Sequence, residues 1–297
     1  MEMLEQEYAC NRLYEARDRP AFLQSVAQKV RGIATFAQGG VDAALIEALP
    51  RLEIISHFGD GTEKIDLVAA KKRDVVVANV IGLVDDCVAD TVMALMLNVM
   101  RRFPQADAFV RSGKWTAPDT FPPATSLGGK TVGILGLGGV GKAVARRAIA
   151  FGMKIRYHGR TQRTLEYPYD PDPVTLAAKS DVLVLAVPGG PATENMVDAK
   201  VLDALGPRGY VINVARGSVI DEPVLIRYLV EKRIAGAGLD TFCNEPKIDL
   251  RFILLDNVVL HPHVGTYSIE TRTAMAHRQL ENLRRHFAGQ PVVNRVV

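Results

Sequence analysis

Short apolar runs alternate with helical segments along most of the chain, and this alternation constrains the fold more than any other feature of the sequence. Strands that alternate with helices in this way form parallel sheets covered by helices. The first series has three such runs: Gly32–Phe36, Leu52–Ser56 and Val75–Ala78. The second series has six: Thr131–Leu135, Lys154–His158, Asp181–Val187, Tyr210–Val214, Gly236–Asp240 and Asn257–Leu260. The pattern predicts an α/β fold, with enough strands in the second series for a complete doubly wound parallel sheet.

The composition excludes several classes of protein. The 297 residues are 48% hydrophobic and 23% charged, which is typical of globular chains rather than disordered or fibrous ones. Lys and Arg number 36 against 33 Asp and Glu, so the net charge is only +3. This charge is too small and too dispersed to predict binding to nucleic acid or to an anionic membrane.

The cysteines and the N-terminus indicate the cellular compartment of the protein. Cys10, Cys87 and Cys243 are scattered, so they predict neither a disulfide framework nor a metal site and fit a reducing compartment. The first residues are acidic, unlike a signal peptide, and the apolar stretch Val88–Met100 is too short to span a bilayer. We therefore expect a soluble, cytoplasmic protein.

Two long helices and one irregular connector are predicted between and after the two series. The first helix runs from Asp86 to about Arg102 with apolar residues on most faces, and the last from about Thr271 to Phe287. We interpret them as companions at the junction of two domains. The stretch Arg111–Gly129 is rich in proline and glycine and predicts an irregular connector. A shorter helix is expected after Asp42, whose carboxylate is a suitable N-cap.

A glycine-rich turn follows the first run of the second series. Gly136, Gly138 and Gly141 form a G-x-G-x-x-G pattern between an apolar strand and a helix. In a dinucleotide-binding unit these glycines permit the tight turn, the approach of the pyrophosphate and close helix packing, and the helix N-terminus attracts phosphate. We expect dinucleotide contacts from this turn, namely Gly136, Gly138, Gly139, Val140 and Gly141. The alternative is a glycine-rich connector without a ligand.

The loop after the next strand distinguishes the two nicotinamide cofactors. NAD-preferring sites carry an acidic residue about 20 positions after the glycines, where it binds the ribose 2′-hydroxyl. Here Arg160 stands 19 residues after Gly141, followed by Thr161 and Arg163. A guanidinium pairs with a 2′-phosphate, so the sequence favours NADP(H). The alternative is that these residues belong to an exposed loop that contacts only solvent.

Three polar residues follow successive strands of the second series. Arg216, Glu245 and His263 lie in loops at the carboxyl ends of strands, which line the ligand crevice of an open α/β sheet. Histidine exchanges protons near neutral pH, and a neighbouring carboxylate fixes its tautomer. Arginine offers a planar fork to a substrate carboxylate. Together with a nicotinamide site, these groups suit hydride transfer to a 2-oxo acid.

Longer motifs around these residues resemble the D-isomer-specific 2-hydroxyacid dehydrogenase family. They extend over nearly the whole chain: Asn213–Glu222, Gly236–Phe242, Glu245–Pro246, Asn257–Thr266 and Glu270–Met275. The resemblance implies a Rossmann dinucleotide-binding domain inserted in a flavodoxin-like substrate domain, and a homodimer built through the cofactor domain and the connector around Trp115. The predicted division is 1–95 for the first part of the substrate-binding domain, 96–268 for the NADP-binding domain, and 269–297 for the helix that returns to the substrate domain.

The resemblance also implies roles for individual residues. His263 is the expected proton donor or acceptor because Pro262–Gly265 matches the family pattern Pro-His-x-Gly, whereas spacing alone does not choose between His261 and His263. Glu245 is its expected partner, and Arg216 is expected to bind the substrate's carboxylate and carbonyl. Further cofactor contacts are implied for residues that follow strands: Val187, Pro188, Thr193, Val214, Ala215 and, at the nicotinamide carboxamide, Asp240.

The substrate loop departs from the family pattern. Phe58, Gly59 and Asp60 are the implied substrate contacts, but Asp60–Glu63 replaces a more usual Val-Gly-Tyr-Asp and Ile81 replaces a proline. Members also open with an apolar strand that this sequence lacks, as expected of an internal or truncated start.

The favoured hypothesis is that the protein reduces a small 2-oxo acid with NADPH, as in the glyoxylate/hydroxypyruvate reductase branch. The alternatives are an NAD(H)-dependent enzyme for another substrate and a dinucleotide-sensing corepressor.

Overall fold

The computed structural model describes residues 2–36, 39–162 and 167–297. The chain divides into two compact units, which we call the first unit and the second unit. The first unit comprises Met1–Val84 and Ser268–Val297, and the second comprises Asp85–Tyr267. Of the helices in the described residues, none is long and apolar enough to cross a membrane.

The first unit holds a three-stranded parallel sheet in the order β1-β2-β3. Its strands and first helices are α1 (Glu2–Glu5), α2 (Arg19–Val26), β1 (Gly32–Phe36), α3 (Ala43–Glu47), β2 (Ile54–Phe58), α4 (Leu67–Lys72) and β3 (Val76–Ala78). In register, Gly32 lies opposite Ile54 and Ile54 opposite Val76. The carboxylate of Asp42 accepts the N–H of Leu45 at 2.8 Å, which confirms the predicted N-cap of α3.

The second unit holds a six-stranded parallel sheet in the order β5-β4-β6-β7-β8-β9. Its strands are β4 (Thr131–Leu135), β5 (Lys154–His158), β6 (Val182–Leu185), β7 (Tyr210–Asn213), β8 (Gly236–Leu239) and β9 (Val258–Leu260). All six predicted strands are present, some of them a few residues shorter. The chain leaves β4 for β5 on one side and continues to β6 on the other. The strand order therefore reverses beside the carboxyl end of β4, where open α/β sheets bind ligands.

Helices cover both faces of this sheet. They are α5 (Asp85–Arg101), α6 (Phe103–Arg111), α7 (Gly139–Ala150), α8 (Pro173–Ala178), α9 (Ala199–Leu205) and α10 (Glu222–Val230). Successive side chains of a strand point to opposite faces. Leu183 and Leu185 pack with α8, α9 and α10, and Val182 and Val184 pack with α5 and α7. The second unit is thus a doubly wound sheet, as the sequence predicts.

The unit boundaries differ from the predicted ones. The sequence places the first boundary at residue 95, within the long helix, whereas the structure places it between Val84 and Asp85. The reason is packing, because Leu95 lies against β8 so closely that a Cβ added to Gly238 would come within 2.9 Å of its Cβ. A helix buried against one sheet belongs entirely to the unit of that sheet.

The last helix, α11 (Ile269–Phe287), belongs to the first unit, whereas α5 belongs to the second. Its buried Gln279 donates hydrogen bonds from Nε2 to the carbonyl oxygens of Thr35 and Ser56, both at 2.9 Å. The hydroxyl of Ser56 donates in return to the carbonyl of Gln279 at 2.9 Å. These polar contacts fix α11 against β1 and β2, on the sheet that carries the substrate loop predicted from the sequence.

Candidate active site

The glycine-rich turn joins β4 to α7 and has the shape that a dinucleotide needs. Gly136 has a φ of +95°, and a Cβ at this position would lie 2.6 Å from the carbonyl oxygen of Ala186. A Cβ on Gly141 would lie 2.2 Å from the carbonyl oxygen of Gly136. Over Gly138, the N-cap of α7, a Cβ would meet nothing within 4 Å, and no side chain caps the helix. The first N–H groups of α7, near Val140, are therefore open to an anion, and the turn fits a pyrophosphate.

The loop after β5 carries the residues expected at the ribose. Arg160 and Thr161 are both exposed, two and three residues after the end of β5 at His158. Arg163 lies outside the described residues. The loop returns beside β5, where the N–H of Tyr157 donates to the carbonyl of Pro168 at 3.0 Å. An accessible guanidinium at the carboxyl end of β5 fits a 2′-phosphate.

The other predicted cofactor residues follow β6, which pairs with β4, and β7, which pairs with β6. Val187 and Pro188 lie two and three residues after the end of β6, and the hydroxyl of Thr193 donates to the carbonyl of Pro188 at 2.7 Å. Val214 and buried Ala215 follow β7. The strand order places all five residues at the edge of the sheet that carries the glycine turn.

The structure brings His263 and Glu245 into direct contact. Nδ1 of His263 lies 2.7 Å from Oε2 of Glu245, and Oε1 of Glu245 accepts the N–H of Phe242 at 2.9 Å. Burial acts to raise the pKa of Glu245, but the hydrogen bonds from His263 and Phe242 and the positive charge of Arg216 outweigh it, so the pKa lies below the ordinary value. An ionised Glu245 holds the proton of His263 on Nδ1, and proton exchange with another molecule therefore falls to Nε2.

Asp240 anchors the loop that carries His263. One carboxylate oxygen accepts the N–H of Val264 at 2.8 Å and the other accepts the N–H of Gly265 at 2.9 Å. Asp240 is only 2% exposed, and its burial raises its pKa although both N–H groups oppose the shift. His263 has a φ of +55°, a strained value for a residue with a side chain, and these two hydrogen bonds hold the chain just after it. The predicted contact of Asp240 with a cofactor stays a prediction.

Gly217, the residue after Arg216, brings the loop of Arg216 into contact with the loop of Glu245. The carbonyl of Arg216 accepts Nδ2 of Asn213 at 3.0 Å, and its own Nη1 donates to the carbonyl of Ala215 at 2.7 Å. A Cβ on the next residue, Gly217, would lie 2.0 Å from the carbonyl carbon of Phe242. The loops of Arg216 and Glu245 therefore touch through their backbones, which is why the three predicted catalytic residues converge.

The predicted substrate loop lies in the first unit, after β2. Phe58, Gly59 and Asp60 are all partly buried. Asn79 was not assigned a role from the sequence, yet its Nδ2 donates to the carbonyl of Asp60 at 2.8 Å, and the N–H of Val80 donates to the carbonyl of Gly59 at 3.2 Å. Asn79 is 6% exposed. A polar residue directly after a predicted strand was a sequence signal for this support.

Comparison with known proteins identifies the family. Residues 93–265 match the model of the D-isomer-specific 2-hydroxyacid dehydrogenase NAD-binding domain. This chain is a member of that family. The match covers the glycine turn and the loops of Arg216, Glu245 and His263.

Relatives of this 2-hydroxyacid dehydrogenase extend over almost all of its length. A 2-ketogluconate reductase of Gluconobacter oxydans is 45% identical over 93% of this chain and 89% of its own. Glyoxylate/hydroxypyruvate reductase A of Arabidopsis thaliana is 41% identical over 99% of this chain and 94% of its own.

Solved structures of related proteins identify the same family. An NADPH-dependent glyoxylate/hydroxypyruvate reductase of Sinorhizobium meliloti, in complex with NADP and malonate, has a TM-score of 0.88 and 42% identity over 92% of this chain and 85% of its own. A 2-hydroxyacid dehydrogenase of Ketogulonicigenium vulgare has a TM-score of 0.95 and 41% identity over all of this chain and 94% of its own. The predicted family, and the fold of two parallel-sheet α/β units with a Rossmann-type NAD-binding unit, are confirmed.

Cys243 of this dehydrogenase is expected to resist alkylation although it is an exposed residue. Its N–H donates to Oε2 of Glu222 at 3.0 Å. Burial of the thiol and the charge of Glu222 raise the pKa of Cys243 to about 11. Since the thiolate is the reactive form, we expect Cys243 to react with iodoacetamide at pH 8 about 100-fold more slowly than an unperturbed thiol. Peptide mapping by mass spectrometry measures the rate. Glu222→Gln should accelerate it, and a rate equal to that of free cysteine would contradict the assignment.

Proposed function

We propose that this enzyme uses NADPH to reduce a small 2-oxo acid, of the glyoxylate or hydroxypyruvate kind, to the D-2-hydroxy acid. The observation that carries the proposal is the 2.7 Å contact between His263 and Glu245, with Arg216 close enough for its charge to lower the pKa of Glu245. A proton donor and a cation that binds carboxylates are the two groups that reduction of a 2-oxo acid requires from the protein. The names of the relatives in Arabidopsis and Sinorhizobium support the same substrate class.

In this mechanism each residue has a separate task. The bound nicotinamide supplies the hydride. The carbonyl oxygen gains negative charge as it is reduced, and Nε2 of His263 donates a proton to it. Glu245 holds the ring through Nδ1, which leaves Nε2 to face the substrate. Arg216 binds the substrate carboxylate with its planar fork, which orients the carbonyl.

The cofactor would be held by the residues at the carboxyl ends of the strands. The turn from Gly136 to Gly141 would bind the pyrophosphate, and the residues after β6, β7 and β8 would line the nicotinamide half. Arg160, Thr161 and Arg163 would bind the 2′-phosphate. The preference for NADPH rests on Arg160, because the loop from His158 to Thr161 contains no carboxylate to accept a ribose hydroxyl.

Arg160→Ala tests this preference. A charge-assisted hydrogen bond contributes about 1.5–3 kcal/mol, so KM for NADPH should rise about 10- to 100-fold while KM for NADH changes little. Arg208→Ala is the matched control, since Arg208 is an exposed arginine before β7, at the opposite end of the strands. Equal losses for both cofactors in Arg160→Ala would overturn the assignment.

A sugar-derived 2-oxo acid is the second candidate substrate. The relative that is 45% identical is named a 2-ketogluconate reductase. In addition, the substrate loop of this chain carries Asp60, Thr62 and Glu63, whose oxygen atoms suit hydroxyl groups. Initial rates of NADPH consumption with glyoxylate, hydroxypyruvate, pyruvate and 2-ketogluconate decide between the two. A kcat/KM highest for 2-ketogluconate would replace our first candidate with the second, and no consumption with any of them would contradict both. The homodimer around Trp115 and the cytoplasmic location stay predictions.

A further inference from the structure

A carboxylate lies directly against the glycine turn, and neither the sequence motifs nor the mechanism explains it. Asp85 is the first residue of α5, and α5 lies alongside α7 within the second unit. A Cβ added to Gly139 would fall 2.0 Å from Oδ2 and 2.7 Å from Oδ1 of Asp85. The space beside the first residue of α7 is therefore filled by a carboxylate, next to the N–H groups that remain open to an anion.

This carboxylate differs from the other acids on the same helix. Asp86 pairs with Arg147 at 2.9 Å and Asp90 pairs with Arg147 at 2.7 Å, and both side chains are more than 70% exposed. Asp85 is half-buried and forms no ion pair within 4 Å among the described residues. Burial and repulsion by Asp86 raise its pKa, which Arg146 partly opposes.

We propose that Asp85 sets the affinity for the dinucleotide by placing negative charge beside the pyrophosphate subsite, so that cofactor binds less tightly and leaves faster. A free helix N-terminus attracts anions, and an unpaired carboxylate next to it weakens that attraction and repels the incoming pyrophosphate. The effect acts on the pyrophosphate, which NADPH and NADH share. The inference rests on the dinucleotide site of the proposed function but not on the preference for NADPH.

The test compares Asp85→Asn with Asp86→Asn by titrating each protein with NADPH and with NADH and measuring Kd from nucleotide fluorescence. Repulsion between neighbouring like charges at an intermediate dielectric constant is enough to change Kd about three- to tenfold. Asp85→Asn should therefore lower Kd for both nucleotides by that factor, through slower dissociation. Asp86→Asn, which removes an exposed and already paired charge, should change Kd less than about twofold.

The dependence of Kd on ionic strength distinguishes an electrostatic role of Asp85 from a structural one. The ratio of Kd between the wild type and Asp85→Asn should shrink as ionic strength rises, because the repulsion is screened. Asp85→Ser serves as a second variant if the amide disturbs the start of α5, and it should tighten binding likewise. An unchanged or higher Kd for both Asp85 variants, in proteins that still bind the nucleotides, overturns this inference alone. Failure of the wild type to bind either nucleotide overturns the proposed function instead.

Gly139→Ala provides an independent check on the contact between the Asp85 carboxylate and Gly139. A helical glycine replaced by alanine usually stabilises a protein where there is room. Here the new Cβ would overlap the Asp85 carboxylate and displace it, so Gly139→Ala should change Tm less favourably in the wild-type background than in Asp85→Ser. An equal change of Tm in the two backgrounds would show that the carboxylate does not occupy this space and would overturn the proposal.

Discussion

His263→Ala is expected to lower kcat for reduction by about 10²- to 10⁴-fold, the usual contribution of a positioned general acid. The reason is that the carbonyl oxygen acquires negative charge during reduction, and the variant has no donor to neutralise it. The Kd for NADPH should hardly change, because the glycine turn and Arg160 are separate from this side chain. Single-turnover rates together with nucleotide titrations measure both quantities.

His261→Ala is the matched control. His261 lies two residues away on the same segment, where its backbone N–H donates to the carbonyl of Leu239 at 2.8 Å, a bond that alanine retains. Most activity should therefore survive. If His261→Ala were the inactive variant and His263→Ala turned over normally, the assignment of the proton donor would be wrong.

Arg216→Gln is expected to lower kcat/KM for the 2-oxo acid about 10- to 100-fold, since a charge-assisted contact with the substrate carboxylate is lost. Arg216→Lys should recover only part of the activity, because an ammonium is a point charge and cannot bind a carboxylate with two parallel hydrogen bonds. Steady-state kinetics at saturating NADPH measure the effect. Glu245 should remain in place, since its contacts to His263 and Phe242 do not involve Arg216.

Arg208→Gln is the control for Arg216→Gln, as another arginine of the second unit whose loss should leave kcat/KM within about twofold of the wild type. A value of kcat/KM for Arg216→Gln close to that of Arg208→Gln would show that Arg216 does not bind the substrate. Loss of NADPH binding in Arg216→Gln would equally contradict the role, because it would place Arg216 at the cofactor.

Local patterns were enough to predict the strands and the glycine turn. Six strands of the second sheet follow from runs of β-branched and aliphatic residues, and Gly136 and Gly141 were predicted from the requirements of a tight turn and close packing. The structure shows that turn, with a φ of +95° at Gly136. The helix after Asp42 was likewise predicted from a cap that lies three residues from its partner. These features depend on interactions between near neighbours, which a single sequence displays.

The supports of the site could not be predicted because they join distant parts of the chain. Gly217 was noted only as part of a motif, and its contact with Phe242 depends on how the loops after β7 and β8 fold together. Asp240 was predicted only as a cofactor contact, and the structure gives it a further role, because it accepts two backbone N–H groups after His263. Asn79 reaches the substrate loop across 19 residues of sequence.

The division into units differs from the predicted boundary for a related reason. A helix with apolar residues on most faces is expected to be buried, but its sequence does not reveal against which sheet it packs. The contact of Leu95 with Gly238 decides this, and it requires the arrangement of β8. In α11, buried Gln279 and Asn282 resemble exposed polar residues in sequence and are recognised only by their partners on the first sheet.

The central claim is most directly tested by following one reaction to its end, with hydroxypyruvate and NADPH, and analysing both products. The account predicts that one D-2-hydroxy acid forms for each NADPH consumed, and that NADH in place of NADPH gives the same D product at a lower kcat/KM. Formation of the L isomer, or no consumption of either nucleotide with any of the four 2-oxo acids named above, would contradict it.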